Sequence, residues 1–192
     1  MQIGSGITIS GGVKLTPTPI LLDPGGISVP PSPLSGLYRK TYTGYFADNP
    51  NWFDSASIRS TGISTSVIGL SGFDTGDLFS IQWLGYFKPQ VTGIHTFFTN
   101  SDDGSYIWIG TNAISGYTID NALVRNGGLH TVTERSNSVM LIAHEENYYP
   151  IRIQYGDYNG AQRMSVSYSA PTIAKTTNFY NLLYYNSWTN GI

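Results

Sequence analysis

The sequence predicts an all-β protein, an antiparallel β-sandwich with an extended N-terminal arm and a short C-terminal extension. Three observations carry this prediction. From about Gly36 onward apolar residues recur with period two, which places alternate side chains on opposite faces of a strand. Clusters of Gly, Asn, Asp and Ser separate these runs at the spacing of a sandwich or barrel. No segment before about residue 175 carries a helical period.

The elements follow in order. Residues 1–35 are broken every few positions by Gly4, Gly6, Gly11-Gly12, Pro17, Pro19, Pro24-Gly25-Gly26, Pro30-Pro31 and Pro33, leaving only short apolar pieces such as Ile7-Thr8-Ile9. Proline lacks the ladder donor and glycine loses the most backbone entropy, so this arm cannot fold alone. It is expected to dock on its own domain or on neighbouring chains, as a strand adds to an exposed edge. The sandwich is expected over 36–170, with strands at 36–46, 93–100, 104–110, 129–134 and 138–144. Phe79, Ile81 and Trp83 alternate with polar or small residues in a further strand; Ile151, Ile153 and Tyr155 do so in another, and Met164, Val166 and Tyr168 in a third. Such alternation predicts half-buried antiparallel strands. Residues 171–192 hold Phe179, Tyr180, Tyr184, Tyr185 and Trp188 with one charge, Lys175. This extension either packs back on its own sandwich or forms a subunit contact.

Composition excludes several function classes. Charged residues make up 11% of the 192, about half the usual share, and the net charge is −2. Ten Lys and Arg spread over the chain cannot neutralise a run of phosphates, so nucleic acid is not an expected partner. The absence of cysteine removes disulfides, thiolate metal sites and cysteine nucleophiles. No apolar run reaches the length of a membrane-spanning helix, and membrane insertion is not expected. Met1 to Gly6 has neither the basic nor the apolar region of a secretory signal.

The densest polar cluster is Thr99-Asn100-Ser101-Asp102-Asp103-Gly104-Ser105, between two predicted strands. Asp-Gly there reads as a hairpin turn. Two adjacent carboxylates repel each other, however, and a plain turn needs only one. A hard cation rewards the pair, since calcium takes six to eight oxygens from carboxylates, carbonyls, amides and water. His144-Glu145-Glu146 lacks the second histidine of a helical zinc motif and reads as a surface turn, and His95 and His130 sit in strand-like stretches without partners at ligand spacing. No Gly-x-Ser-x-Gly elbow and no opposed carboxylate pair is legible, so no catalytic residue is assigned and an enzyme is not expected.

Ile81-Gln82-Trp83-Leu84-Gly85-Tyr86-Phe87-Lys88-Pro89, Thr92-Gly93-Ile94-His95-Thr96-Phe97 and Ser101-Asp102-Asp103-Gly104-Ser105-Tyr106-Ile107-Trp108-Ile109-Gly110 together resemble the protective-antigen domain first described in anthrax toxin. Tyr148-Tyr149-Pro150-Ile151-Arg152-Ile153-Gln154-Tyr155 and Met164-Ser165-Val166-Ser167-Tyr168 resemble its closing strands. That family is a β-sandwich found in bacterial toxins, glycosidases, yeast flocculins and other adhesins. The resemblance implies that Asp102 and Asp103 are joined by a cis peptide and hold Ca2+, with sugar hydroxyls completing the shell. It implies a second ligand loop at 156–160, where either Asp157 or Asn159 supplies a side chain. Carbohydrate contacts would then come from Asp102, Asp103, Tyr158 and Asn159, with Tyr158 stacking on a sugar ring. Tyr106 and Trp108 could also stack, although Trp108, mid-strand, reads better as core.

The opening Ile3-Gly4-Ser5-Gly6-Ile7-Thr8-Ile9-Ser10-Gly11-Gly12-Val13 resembles that of small virion proteins of tailed phages, and the stretch from Ile114 to His130 resembles viral versions of the protective-antigen domain. The expectation is therefore a non-enzymatic virion structural protein, a capsid decoration or tail-fibre component, that displays the sandwich for surface adhesion. Its partners would be other virion proteins or sister subunits held through the arm, host-surface glycans, and further copies of itself. Its location would be the virion or otherwise an extracellular surface. The alternative is a calcium-dependent carbohydrate-binding lectin or adhesin module not tied to a virion.

Overall fold

The period-two runs become thirteen strands in a computed structural model that describes residues 25–28, 32–70 and 76–186. In chain order these are β1 (Ile27–Ser28), β2 (Leu34–Ser35), β3 (Leu37–Thr43), β4 (Ile58–Ser64), β5 (Phe79–Phe87), β6 (Gly93–Asp102), β7 (Ser105–Ile109), β8 (Val124–Asn126), β9 (Thr133–Leu141), β10 (Asn147–Asp157), β11 (Arg163–Ala170), β12 (Ile173–Thr176) and β13 (Leu183–Tyr185). The chain has no α-helix among the described residues, only short 3-10 turns. Most of the expected docking arm, residues 1–24 and 29–31, lies outside the described residues, as do 187–192.

The strands form a nine-stranded and a four-stranded sheet, both antiparallel. In the large sheet β10 is central, pairing β5 from Tyr149↔Phe87 to Asp157↔Phe79 and β7 from Ile151↔Ile109 to Tyr155↔Ser105. The small sheet has the order β12-β11-β6-β9. Between the sheets lie the inward residues of both, including Ile81, Trp83, Ile107, Ile153 and Tyr155 from one and Phe97, Val139, Met164, Val166 and Tyr168 from the other. Phe97 and Tyr168 meet Phe87 edge-on, with ring centroids 5.1 and 5.4 Å apart. His95 belongs to this core: its Nε2 lies 2.8 Å from the Val91 carbonyl and its ring stacks on Tyr168. The expected β-sandwich is the observed fold.

Two expectations change. The strands were expected to be half-buried, yet every residue of β5 and β7 is buried, and so is nearly all of β10. The outer face of the large sheet is covered by a third layer, the segments 44–56 and 110–123, which pack Phe46, Phe53, Ala113, Tyr117 and Ala122 onto Tyr42, Tyr106 and Trp108. Strand limits also shift: 129–132 is loop, and the two strands expected at 129–134 and 138–144 are the single strand β9. From residue 171 onward the chain supplies β12 to the small sheet and β13 to the large one, and Phe179, Leu182 and Leu183 enter the main core.

Candidate functional site

Four loops meet at one end of the sandwich. They are the β6–β7 connection, the β10–β11 loop, the β8–β9 loop and the segment after β3. β6 runs through Asp102 and β7 begins at Ser105, so Asp103 and Gly104 make the whole connection. The Asp102–Asp103 peptide is cis. Gly104 has no positive φ; it is small because a Cβ there would lie 3.1 Å from Asp48 Oδ1 and 3.4 Å from the Gly128 carbonyl.

The Asp103 carboxylate ties two loops together. Its Oδ1 accepts from the His130 backbone N–H at 3.0 Å and its Oδ2 from the Tyr158 N–H at 3.0 Å. The Asp102 carbonyl accepts from the Tyr155 hydroxyl at 2.6 Å. Behind the pair, Ser101 Oγ and Ser105 Oγ share a hydrogen bond of 2.7 Å, and buried Asn126 donates to Ser101 Oγ at 2.9 Å and to the Thr133 carbonyl at 2.8 Å. Asp48, on the segment after β3, accepts from Gly128 N–H at 2.8 Å. The aspartate pair thus sits on a framework whose polar groups are tied down except for Asp48 Oδ1, which is buried without a hydrogen-bond partner.

Asp157 is fully buried and lacks partners at both carboxylate oxygens. Burial pushes its pKa up to about 7, helped by Asp103, Asp77 and Asp102. Asp102 is also raised, by burial and by Asp103, against the opposing pull of His130 and a backbone bond from Val132. A carboxylate without donors, beside two others, is a site of concentrated negative charge that a cation would relieve. Among the described residues no group of three or more His, Asp or Glu side chains could hold an ion by itself. A calcium shell drawn from the pair and Asp157 would therefore be completed by backbone oxygens, water or ligand hydroxyls, as is usual for this ion. On that basis the donor set suits calcium.

The other expected residues divide. Asn159 is exposed beyond the end of β10. Tyr158 is 45% exposed and meets Tyr45 edge-on at 5.8 Å, so an aromatic face borders the aspartates. Tyr106 and Trp108 are buried under the third layer, which leaves no ring face for a ligand to stack on; Trp108 Nε1 donates to the Thr118 carbonyl at 2.8 Å and to Asn121 Oδ1 at 3.1 Å. His144 lies beside the Glu145–Glu146 turn, whereas His130 is placed against Asp103 through its backbone, a role no side-chain motif announces. Tyr45, Asp48 and Asp77 join the site without a motif in the sequence that marks them. Asp77 accepts from Gly160 N–H at 3.3 Å and so braces the Asp157 loop.

Residues 79–170 match the family model of the GLEYA domain. No curated protein matches the chain. Among solved structures, the chain is similar to the Epithelial Adhesin 9 A domain of Candida glabrata in complex with Galb1-3GlcNAc, with a TM-score of 0.69 and 21% identity, covering 89% of this chain and 99% of that one. It is similar to the Epithelial Adhesin 6 A domain of the same organism, with a TM-score of 0.68 and 18% identity over 85% and 92% of the two chains. It is also similar to a PA14 sugar-binding domain from an RTX adhesin, with a TM-score of 0.62 and 15% identity over 80% and 99%. The sandwich is the fold these adhesin domains share.

Proposed function

We propose that this protein is a non-enzymatic, calcium-dependent glycan-binding module of the adhesin type, acting at an extracellular surface. The observation that carries the reading is the buried, unpartnered Asp157 carboxylate beside Asp102 and Asp103. Those side chains would contribute oxygens to a shell completed by backbone carbonyls, water or ligand hydroxyls, and Asn159 would contribute from the adjoining loop. When bound, calcium offers open coordination positions to vicinal sugar hydroxyls. Asp103 keeps the two flanking loops in place, and Tyr158 presents an exposed ring for the apolar face of the sugar. The glycans bound by the Candida glabrata domains make β-galactosides the first candidates. Neither the matched family nor these neighbours point to a virion, so the glycan-binding alternative displaces the virion role as the conclusion.

Thermal unfolding with calcium and with chelator tests the ion. A ligand at one hundred times its Kd stabilises the native state by about 2.7 kcal/mol, so millimolar calcium should raise Tm and chelator should reverse the rise. Asp157→Asn, which has no side-chain hydrogen bond to lose, should lose most of the calcium response. No shift with calcium, or the wild-type shift in the variant, would overturn the proposal. A glycan array read with and without calcium then identifies the sugar.

A further inference from the structure

Asparagine followed by glycine is the pairing at which a polypeptide most readily modifies itself. The next backbone nitrogen can close a ring on the side-chain amide, and glycine puts no Cβ in its way. The dipeptide occurs three times in this chain, at Asn126-Gly127, Asn159-Gly160 and Asn190-Gly191. The last lies outside the described residues. The other two sit at the aspartate pole in opposite surroundings. Asn126 ends β8 and is buried. Its amide nitrogen, the group that would have to leave, donates to Ser101 Oγ at 2.9 Å and to the Thr133 carbonyl at 2.8 Å. Gly127 is packed so closely that a Cβ on it would overlap the Tyr106 hydroxyl, so the backbone has no room for the rotation that ring closure needs.

Asn159 is the reverse case. It lies in the link between β10 and β11, with Tyr158, Gly160 and Ala161 exposed on either side of it. Its side chain has no hydrogen-bond partner among the described residues. Gly160 has a φ of +90°, and nothing lies within 4 Å of where its Cβ would be. The attacking nitrogen stands outside the β ladder. Its N–H donates at 3.3 Å to Oδ1 of the exposed Asp77, so ring closure costs that one bond and no sheet bond.

We propose that Asn159 is a self-modification site, converted through a cyclic imide to aspartyl and isoaspartyl forms while Asn126 is spared. The Gly160 nitrogen gives up its proton and bonds to Asn159 Cγ; the Cγ–Nδ2 bond breaks and the amide leaves as ammonia. Water then opens the imide. Opening at Cγ leaves an ordinary aspartyl residue, and opening at the backbone carbonyl routes the chain through the side chain and lengthens it by one carbon. The sum is amide and water giving carboxylate and ammonium, with no oxidant or reductant. Either product adds a negative charge two residues from Asp157. The reaction depends on the loop alone and holds whether or not the pole takes calcium. Folded protein aged in chelator at mildly alkaline pH, digested with trypsin under mildly acidic conditions and read by mass spectrometry, tests it. Cleavage after Lys and Arg puts the three pairs in separate peptides, 126–135, 153–163 and 176–192. Peptide 153–163 should gain the acid form at least tenfold faster than 126–135, and an isoaspartyl methyltransferase should label it. In denaturing urea the two peptides should convert at similar rates, because the contrast comes from the fold. Gly160→Ala, whose added Cβ meets no neighbour, should slow conversion in the folded protein at least tenfold. Four results would overturn the proposal: equal rates in the folded protein, the same contrast persisting in urea, a folded-state rate at Asn159 more than tenfold below its rate in urea, or the wild-type rate in the variant.

Discussion

Asp157 sets the pH behaviour of the site. An aspartate in an unfolded chain titrates near 3.9, whereas burial and the neighbouring Asp103, Asp77 and Asp102 push this one up to about 7. Between those values the native state holds a proton that the unfolded chain has already lost. Without calcium, the stabilisation is therefore complete below about pH 4 and is lost as pH rises toward 7. Calcium requires the ionised form, so its binding releases a proton and weakens on acidification. In chelator, Tm should be higher at pH 5 than at pH 7.5, and excess calcium should shrink or reverse that difference. Asp157→Asn should flatten the chelator profile relative to wild type. Superimposable profiles for the two proteins would show that Asp157 is not the titrating group. The pair Asp102-Asp103 was legible because two adjacent carboxylates stand out in a chain with only 12 acidic residues. The sequence leaves the choice between Asp157 and Asn159 open, although it carries a signal. Ile151, Ile153 and Tyr155 turn inward, and Asp157 continues that parity because β10 runs through it. Asn159 lies past the strand end, where parity no longer applies. His130 and Asp48 gave no such signal, since each reaches the site through a contact far away in the chain.

Among the elements, the large sheet shows how a polar residue at an outward position can mislead. Gln82, Gln154 and Arg152 alternate with apolar neighbours and read as a solvated face, yet all three are buried. The segments that cover them have no periodicity, so only the tertiary structure reveals the third layer. Arg152 is its anchor. Its Nε donates to the Ala113 carbonyl at 2.9 Å, its Nη1 donates to Gln82, and its guanidinium lies 3.8 Å from the Tyr117 ring centroid. Tyr117 in turn donates to Asp54 Oδ1 at 2.8 Å, which joins the two covering segments. Truncating Arg152 to alanine would leave the Gln82 and Ala113 acceptors short of a buried charged donor and would empty a large volume. A loss of about 3 kcal/mol is expected in urea unfolding. Calcium affinity should stay within twofold of wild type, because Arg152 lies five residues up β10 from Asp157 and touches none of the aspartates. A loss under about 1 kcal/mol would mean that the layer is held by its aromatic contacts alone. The antiparallel core strands were legible for the opposite reason: their inward residues, Trp83, Ile153 and Val166 among them, are set by local alternation.

For the whole molecule, the arrangement of ends relative to the site determines how the module can be held. β5 crosses the sandwich in nine residues, roughly 30 Å, from Phe79 beside Asp157 to Phe87 beside Tyr149. The candidate site occupies the first of these poles. At the second, β1 pairs with Asn147 and Tyr148, β13 pairs with Tyr86 and Phe87, and β2 pairs with β13. Both ends of the described chain therefore lie at the pole opposite the aspartates. A module attached through those ends would face its loops outward, which suits an adhesive surface. The absence of native cysteine makes this geometry directly testable, since a single introduced thiol gives one attachment point. Asn181 is exposed near β13, and Asn159 is exposed on the β10–β11 loop. Protein immobilised through Asn181→Cys should bind glycan in calcium with its solution affinity, and protein immobilised through Asn159→Cys should lose at least tenfold. Each variant measured free in solution separates the substitution from the tether. Equal binding in the two orientations would place the glycan away from the aspartate pole, whatever the ion does there.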